Sequence, residues 1–585
     1  MKTRIQTFQK NVGGYALAVT MAFIAVSMLL LASALHWTAT ESGLTARNNL
    51  YNITVAAAEA GTERVLAQMD RDFIYQSVNT DLTNSYGSLT PDQSTWPSQF
   101  EFSDGAGGSN RTSIHSLGAQ VVANLDSEFA GLYGLVSPFQ VSSQARALNQ
   151  PYPVAARVSQ DFQLARVPIF QFAIFYAMDL EINPGAAMIV TGKVHSNGDI
   201  YTAPPASLTY NDAVMATGQI YNNRHPDDPT TGGKTTPVFN GKHVDKVSSL
   251  TLPIATNNSP DAVQQLLDVP PWNEDRNSDL GRLRYYNNAD LIITNSPGGN
   301  IIVASGAWNN FAILPADVGS GTNSSYSFVT NVSFYDYREQ KTVKATELDV
   351  TKFRTWITNT APNGGSGLNN LAKSSMNHEL NSLYVIDKRP QTSTATSGVR
   401  VSNARLLPAD GLTVATPQPI YVKGHFNLNN NSTTAGLTNT SQTEAAALIG
   451  DAVTLLSENW SDAYNSGTGL SSRSTVNTTV NAALLAGIVK STHVGNTKYY
   501  SGGVENFPRF LENWSGSTLT YNGSMVVMYP SRSGTNYWIA PGTYYNAPTR
   551  KWAFDVNFLD PNRLPPLTPQ VRKLVRGQWK VLAAN

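Results

Sequence analysis

The apolar run YALAVTMAFIAVSMLLLASALHW at residues 15–37 contains no charged side chain. At about 1.5 Å per residue, a helix of that length crosses a bilayer core of roughly 30 Å. Tyr15, Leu17, Phe23, Leu30 and Trp37 mark its course as a membrane anchor. Beyond it the pattern stays helical. Residues 38–69 hold no proline, and Leu50, Ile53, Ala57, Ala60 and Leu66 recur at helical spacing, with Glu59, Thr62, Glu63 and Arg64 on the other side. The pattern predicts one continuous helix of about 55 residues, on the order of 80 Å long, half in the membrane and half projecting.

From residue 70 to 168 the pattern is mixed, with short helices expected at 114–129 and 141–148 behind a Gly/Ser/Asn-rich loop at 104–111. At Val167 the texture changes. VPIFQFAIFYAMDLEINPGAAMIVTGKVHSNGDIY (167–201) is rich in β-branched and aromatic residues, in short runs closed by Pro-Gly and Asn-Gly turns. IVTGKVHSN (189–197) is echoed 26 positions later by MATGQIYNN (215–223), and more loosely at 302–310, 421–427 and 484–489. Each copy places apolar residues before a glycine and one after it. A strand that turns a corner at Gly192, Gly218, Gly306, Gly424 or Gly487 gives that form, and points Val194, Ile220 and Phe426 inward. One corner per coil predicts a parallel β-solenoid; a β-sandwich is the alternative.

The repeat is interrupted. Ser259 as N-cap and Pro260 behind it predict a helix over 259–267, and 332–357 reads as strand, turn, strand, helix, followed by a loop at 361–375. The resulting plan is mainly β with a long N-terminal helix. It has a basic leader (1–14), a transmembrane helix (15–37), its projecting continuation (38–75) and a mixed connector (76–166). The body follows as a first solenoid part (167–258), an inserted α/β region (259–398), a second solenoid part with a helix at 443–460 (399–500), and an aromatic, proline-stiffened C-terminal cap (501–585).

Composition narrows the functions. A chain of 585 residues exceeds one ordinary core. Charged residues are 14% and the formal net charge is zero, so no basic field exists for nucleic acid. The absence of cysteine excludes disulfides, thiolate metal sites and cysteine nucleophiles. Lys2, Arg4 and Lys10 precede the apolar run and no acidic residue occurs before Glu41. That asymmetry holds the N-terminus in the cytoplasm and sends the body across the membrane. Ala32-Ser33-Ala34 offers a competing signal-peptide cut after Ala34.

The basic leader ending in Gly13-Gly14, the apolar helix that starts at once, and the phrase AAAEAGTERVLAQM (56–69) resemble the N-terminal region of PilX-type minor pilins. These are type IV pilin-like proteins whose leader is removed after a glycine by prepilin peptidase. The resemblance implies cleavage between Gly14 and Tyr15, and partnership with other pilin-like subunits through the helix. One position departs from major pilins, which carry glutamate at the fifth mature residue; here it is Val19. VHSNGDIY, GGVENFPRFLENWSG and FLDPNRLPPLTP resemble phrases in large exported proteins with the same kind of N-terminus, and import no activity.

Four sets of residues are candidates for chemistry. His195 with Asp199 forms either an acid/base or metal pair or an ordinary Ser-Asn-Gly-Asp turn. His225, Asp227 and Asp228 offer weak cation ligands in a loop. Asp336 and Arg338 share one face of a strand and can pair, with Glu339 opposite. Glu505, Arg509 and Glu512 stand among Phe507, Phe510 and Trp514, as an aromatic platform for carbohydrate or an ion-paired cap. No hydrolase elbow, zinc-helix motif, phosphate loop or dinucleotide fingerprint occurs. The expectation is a non-enzymatic protein without cofactor or metal. It is a pilin-like component of a type IV pilus or related secretion filament, displaying its body for priming, tip position or adhesion. Its expected partners are the lipid bilayer, other pilin-like subunits and a surface or polysaccharide ligand. The alternative is a secreted or surface β-helix protein that binds or cleaves polysaccharide, exported by an ordinary signal peptide.

Overall fold

A computed structural model describes residues 13–584, apart from 76, 92–95, 97–98, 255–258, 319–324, 359–367, 369–374 and 429–433. Most of the leader and nearly all of the loop expected at 361–375 lie outside the described residues. The protein is mostly β with one long N-terminal helix. That helix runs unbroken from Gly13 to Ile74, 62 residues and roughly 90 Å.

Its two halves have different surroundings. Tyr15, Leu17, Phe23, Leu30 and Trp37 are bare, whereas Ala57, Ala58, Val65, Leu66 and Met69 are fully buried. The buried positions recur every three or four residues, so they form one stripe. The stripe lies on an antiparallel sheet ordered Phe100–Ser103, Tyr133–Ala147, Ala155–Pro168, Gln570–Leu582, with Ser113–Ser116 and Val121–Asn124 added on Tyr133–Ala147. Gly61 allows a close approach, since a Cβ there would come within 2.2 Å of the Ser143 hydroxyl. The short helices expected at 114–129 and 141–148 are strands instead. Phe139, Val141, Ala145 and Ala147 alternate toward the helix with period two, and that alternation decides the element.

The rest of the chain stacks short strands in parallel. An 11-stranded sheet is ordered His243–Val244, Val214–Ala216, Val194–Ser196, Ile174–Tyr176, Met525–Val527, Ala483–Ala486, Ala446–Gly450, Leu412–Ala415, Ser382–Asp387, Leu291–Asn295, Ile301–Ser305. Only its last pairing is antiparallel. An 8-stranded sheet and two three-stranded sheets lie beside it. The strand order records the path of the chain. It enters in the middle at Ile174 and steps outward to His243. It then crosses to the far end at Leu291 and steps back until Met525 pairs with Ile174. Register partners Leu383, Val414, Leu448, Leu484, Met525, Ile174, Val194 and Val214 form one buried column through this stack.

Several sequence expectations change here. The rung spacing at Val194 is 20 residues, not 26, since Ile174 stands opposite Val194 and Val194 opposite Val214. The 26-residue match aligned Gly192 with Gly218, whereas Gly218 stacks on Gly198, donating its N–H to the Gly198 carbonyl at 3.0 Å. Val194 and Phe426 are fully buried as expected, but Ile220 is only half-buried. Residues 443–460, expected as a helix, form the strands Ala446–Gly450 and Val453–Leu456. Every residue of both strands is buried, and a strand covered on both faces reads as an unbroken apolar run. The C-terminal stretch, expected to close one end, instead places Met525–Val527 in the middle of the stack and Gln570–Leu582 in the helix-bearing sheet.

Candidate functional site

The turns between residues 179 and 219 rest on aspartates. The Asp179 carboxylate accepts the Asp199 N–H at 2.9 Å, and Asp199 accepts the Gln219 N–H at 2.7 Å, one rung capping the next. A Cβ at Gly218 would lie 2.1 Å from that Asp199 oxygen, so the glycine is the seat of the previous rung's carboxylate. Gly192 lies between Met188–Val190 and Val194–Ser196, Gly306 follows Ile301–Ser305, Gly424 lies within Ile420–Phe426, and Gly487 follows Ala483–Ala486. These corners are spread along the stack and make no common site.

The His195–Asp199 pair does not form. His195 is fully buried, stacked on Phe175 at 5.4 Å, and bonded through Nε2 to Asn197 Oδ1 at 2.9 Å. Asn197 Oδ1 also accepts the Leu250 N–H, which makes it an acceptor and Nε2 the donor. Burial pushes the His195 pKa down to about 4, so the ring is neutral. The second set is also dispersed. Asp228 pairs with Arg224 at 2.8 Å and Asp227 with His493 at 2.9 Å. Among the described residues no group of three or more His, Asp or Glu side chains is placed to hold a metal ion.

Asp336 and Arg338 do not pair through their side chains. Asp336 accepts the backbone N–H groups of Arg338 and Glu339 and the Tyr421 hydroxyl, all within 2.9 Å. Glu339 instead meets Arg509 at 2.6 Å and caps the N–H groups of Thr535 and Asn536. This buried network ties four distant segments together, 336–339, Tyr421, Arg509 and 535–536. Phe507, Phe510 and Trp514 are buried, so they form core rather than an exposed aromatic platform.

Sequence reading named Glu505 but missed Glu181 and the pairing of the two. Glu181 and Glu505 are buried near a cavity of about 20 Å³ that is lined by Tyr176, Glu181, Arg338, Ser501 and Arg509. Glu181 Oε1 accepts the hydroxyls of Ser491 at 2.6 Å and Ser501 at 2.9 Å, while its Oε2 has no partner among the described residues. Burial pushes both carboxyls up to about 7, and the charge of Glu505 adds to the shift of Glu181. Such a set exchanges protons near neutrality, but the space holds about one water and no substrate. A wider polar groove of about 610 Å³ runs past Asp290, His378, Asp410, Glu444 and Arg563. Nothing local in the sequence announces either place, because each gathers residues from segments far apart in the chain.

The remaining functional element is the helix itself. Tyr15 is 81% exposed and Trp37 69%. This is the one described helix long and apolar enough to cross a membrane. Its distal end is tied down. Glu63 pairs with Arg576, and the Phe73 carbonyl accepts Arg572 Nη1 at 3.1 Å.

No protein-family model and no curated protein matches the chain. Among solved structures, the competence-associated pilin ComZ from Thermus thermophilus is similar, with a TM-score of 0.32 and 12% identity, over 90% of this chain and 96% of that one. A likeness at that level is one of outline and assigns the chain to no family.

Proposed function

We propose that the protein is a membrane-anchored, pilin-like component of a type IV pilus or related secretion filament. One observation carries this reading. The helix Gly13–Ile74 is continuous, bare and apolar in its first half, and locked to the body in its second. An anchor of that form transmits the position of the membrane, or of a filament core, rigidly to the body. The resemblance of the leader and of residues 56–69 to PilX-type minor pilins supports the same reading. The N-terminus lies in the cytoplasm and the body outside the inner membrane. The body is a parallel β-solenoid of two arms, a reading supported by its 20-residue rungs and its continuous buried column. It has no catalytic role.

Position in the filament follows from Val19. After cleavage at Gly14, a buried terminal ammonium needs a carboxylate partner, and valine supplies none to a neighbouring subunit. The protein therefore suits the tip or the priming complex and is scarce relative to the major subunit. N-terminal sequencing of the membrane-extracted protein tests the class. Tyr15 as first residue supports it, Leu35 favours the secreted polysaccharide-binding alternative, and Met1 leaves a plain anchor. An epitope tag found along the whole shaft of purified filaments would refute the tip assignment.

A further inference from the structure

Arg166 and Arg572 stand directly opposite each other in the antiparallel pair Ala155–Pro168 and Gln570–Leu582. Opposed side chains on one face have Cβ atoms about 5 Å apart, and like charges placed so repel. Arg282, from a turn of the body, reaches the same place, and the three arginines line one cavity of about 250 Å³.

The protein compensates this charge only in part. Arg572 donates to the Phe73 carbonyl at the C-terminal end of the long helix, where the backbone carries partial negative charge. Arg166 donates to Gln120 Oε1 at 3.1 Å, while its buried Nε has no partner. Asp279 lies 3.9 Å from Arg282. Neither Arg166 nor Arg572 has a carboxylate partner among the described residues. Burial, with the charges of Arg166 and Arg282, pushes the Arg572 pKa down to about 10. The rest of the wall includes Leu252, Leu266 and Leu283.

We infer that this cavity is an anion site, taking a carboxylate or phosphate group borne on a small molecule with an apolar flank. Guanidinium forks match the oxygen pairs of both groups, and an oxyanion between Arg166 and Arg572 relieves their repulsion. The leucines then cover the flank. At about 250 Å³ the space is below the roughly 300–1,000 Å³ of drug-sized pockets, which selects a single-ring or short-chain acid. The site does not depend on the filament reading.

The test is calorimetric titration of the full-length protein in nonionic detergent at low salt. The probes are inorganic phosphate, phenyl phosphate, acetate and benzoate. Saturable binding is expected, tighter for the phenyl-bearing member of a pair, and the tighter pair identifies the oxyanion. Arg166→Gln and Arg572→Gln should each weaken it at least tenfold. Arg282→Gln, in an exposed turn outside the sheet, should weaken it as well, and decides the matter if the sheet variants fail to fold. Absence of saturable binding by all four probes would overturn the site, as would affinity unchanged in the variants that fold.

Discussion

At the scale of single residues, the buried acids set a pH dependence whose sign follows from burial. Glu181, Glu505 and Glu512 are held at about 7, against 4.5 in the unfolded chain. The folded chain therefore keeps protons that the unfolded chain releases between these values. Stability falls as pH rises from 4.5 to 7 and levels off above. His195 acts in the opposite sense. With a folded pKa of about 4 against 6.5, it costs stability as pH drops from 6.5 toward 4. Glu505→Gln keeps the acceptor for the Asn183 N–H and cannot ionise. It is expected to stabilise the protein by roughly 1–3 kcal/mol at pH 8 and hardly at all at pH 4.5. Thermal midpoints at both pH values check this; a gain equal at both would mean that the carboxyl is not burial-shifted.

At the scale of elements, the short parallel strands between Ile174 and Val244 depend on which residues stack. Val214 sits between Val194 and His243 in the parallel ladder and is fully buried, whereas Ile220 pairs with Ile200 and stays half-exposed. Val214→Asp buries a charge with no partner and should abolish soluble folding. Ile220→Asp leaves its carboxylate a route to water and should lower the midpoint without preventing folding. Soluble yield and melting of the two variants separate the 20-residue register from the 26-residue one, which would have made Ile220 the costlier site. The helix stripe follows the same logic, since Met69 and Leu66 are packed against the sheet while Leu30 is exposed.

At the scale of the whole molecule, the chain closes on itself twice. Met525 completes the stack against Ile174, and Gln570–Leu582 completes the helix-bearing sheet against Ala155–Pro168. Both closures join residues hundreds of positions apart, so folding waits on the last part of the chain. Removing residues 570–585 exposes the edge of Ala155–Pro168 and one side of the helix stripe, along with the anchor points of Arg572 and Arg576. The shortened protein is expected to aggregate, because a long unpaired edge recruits other strands. Recovery of monomeric, cooperatively melting protein after that truncation would show the closure to be dispensable.

The sequence by itself determined what depends on neighbours along the chain. An uncharged 23-residue run and a proline-free helical period specify the long helix, and Ser259-Pro260 specifies a capped turn of helix at Pro260–Gln264. The β texture after Val167 is equally local. Tertiary structure alone decided the rest. Register between parallel strands is a choice among distant partners, so a glycine echo of 26 concealed a rung of 20. Doubly covered strands at Ala446–Gly450 and Val453–Leu456 carry no alternation to tell them from a buried helix. Asp199 and His195, close in sequence and inviting as a pair, are separated because one caps a rung and the other is stacked in the core. Arg166, Arg282 and Arg572 share a cavity only because the last strand, Gln570–Leu582, returns to pair with Ala155–Pro168, far earlier in the chain.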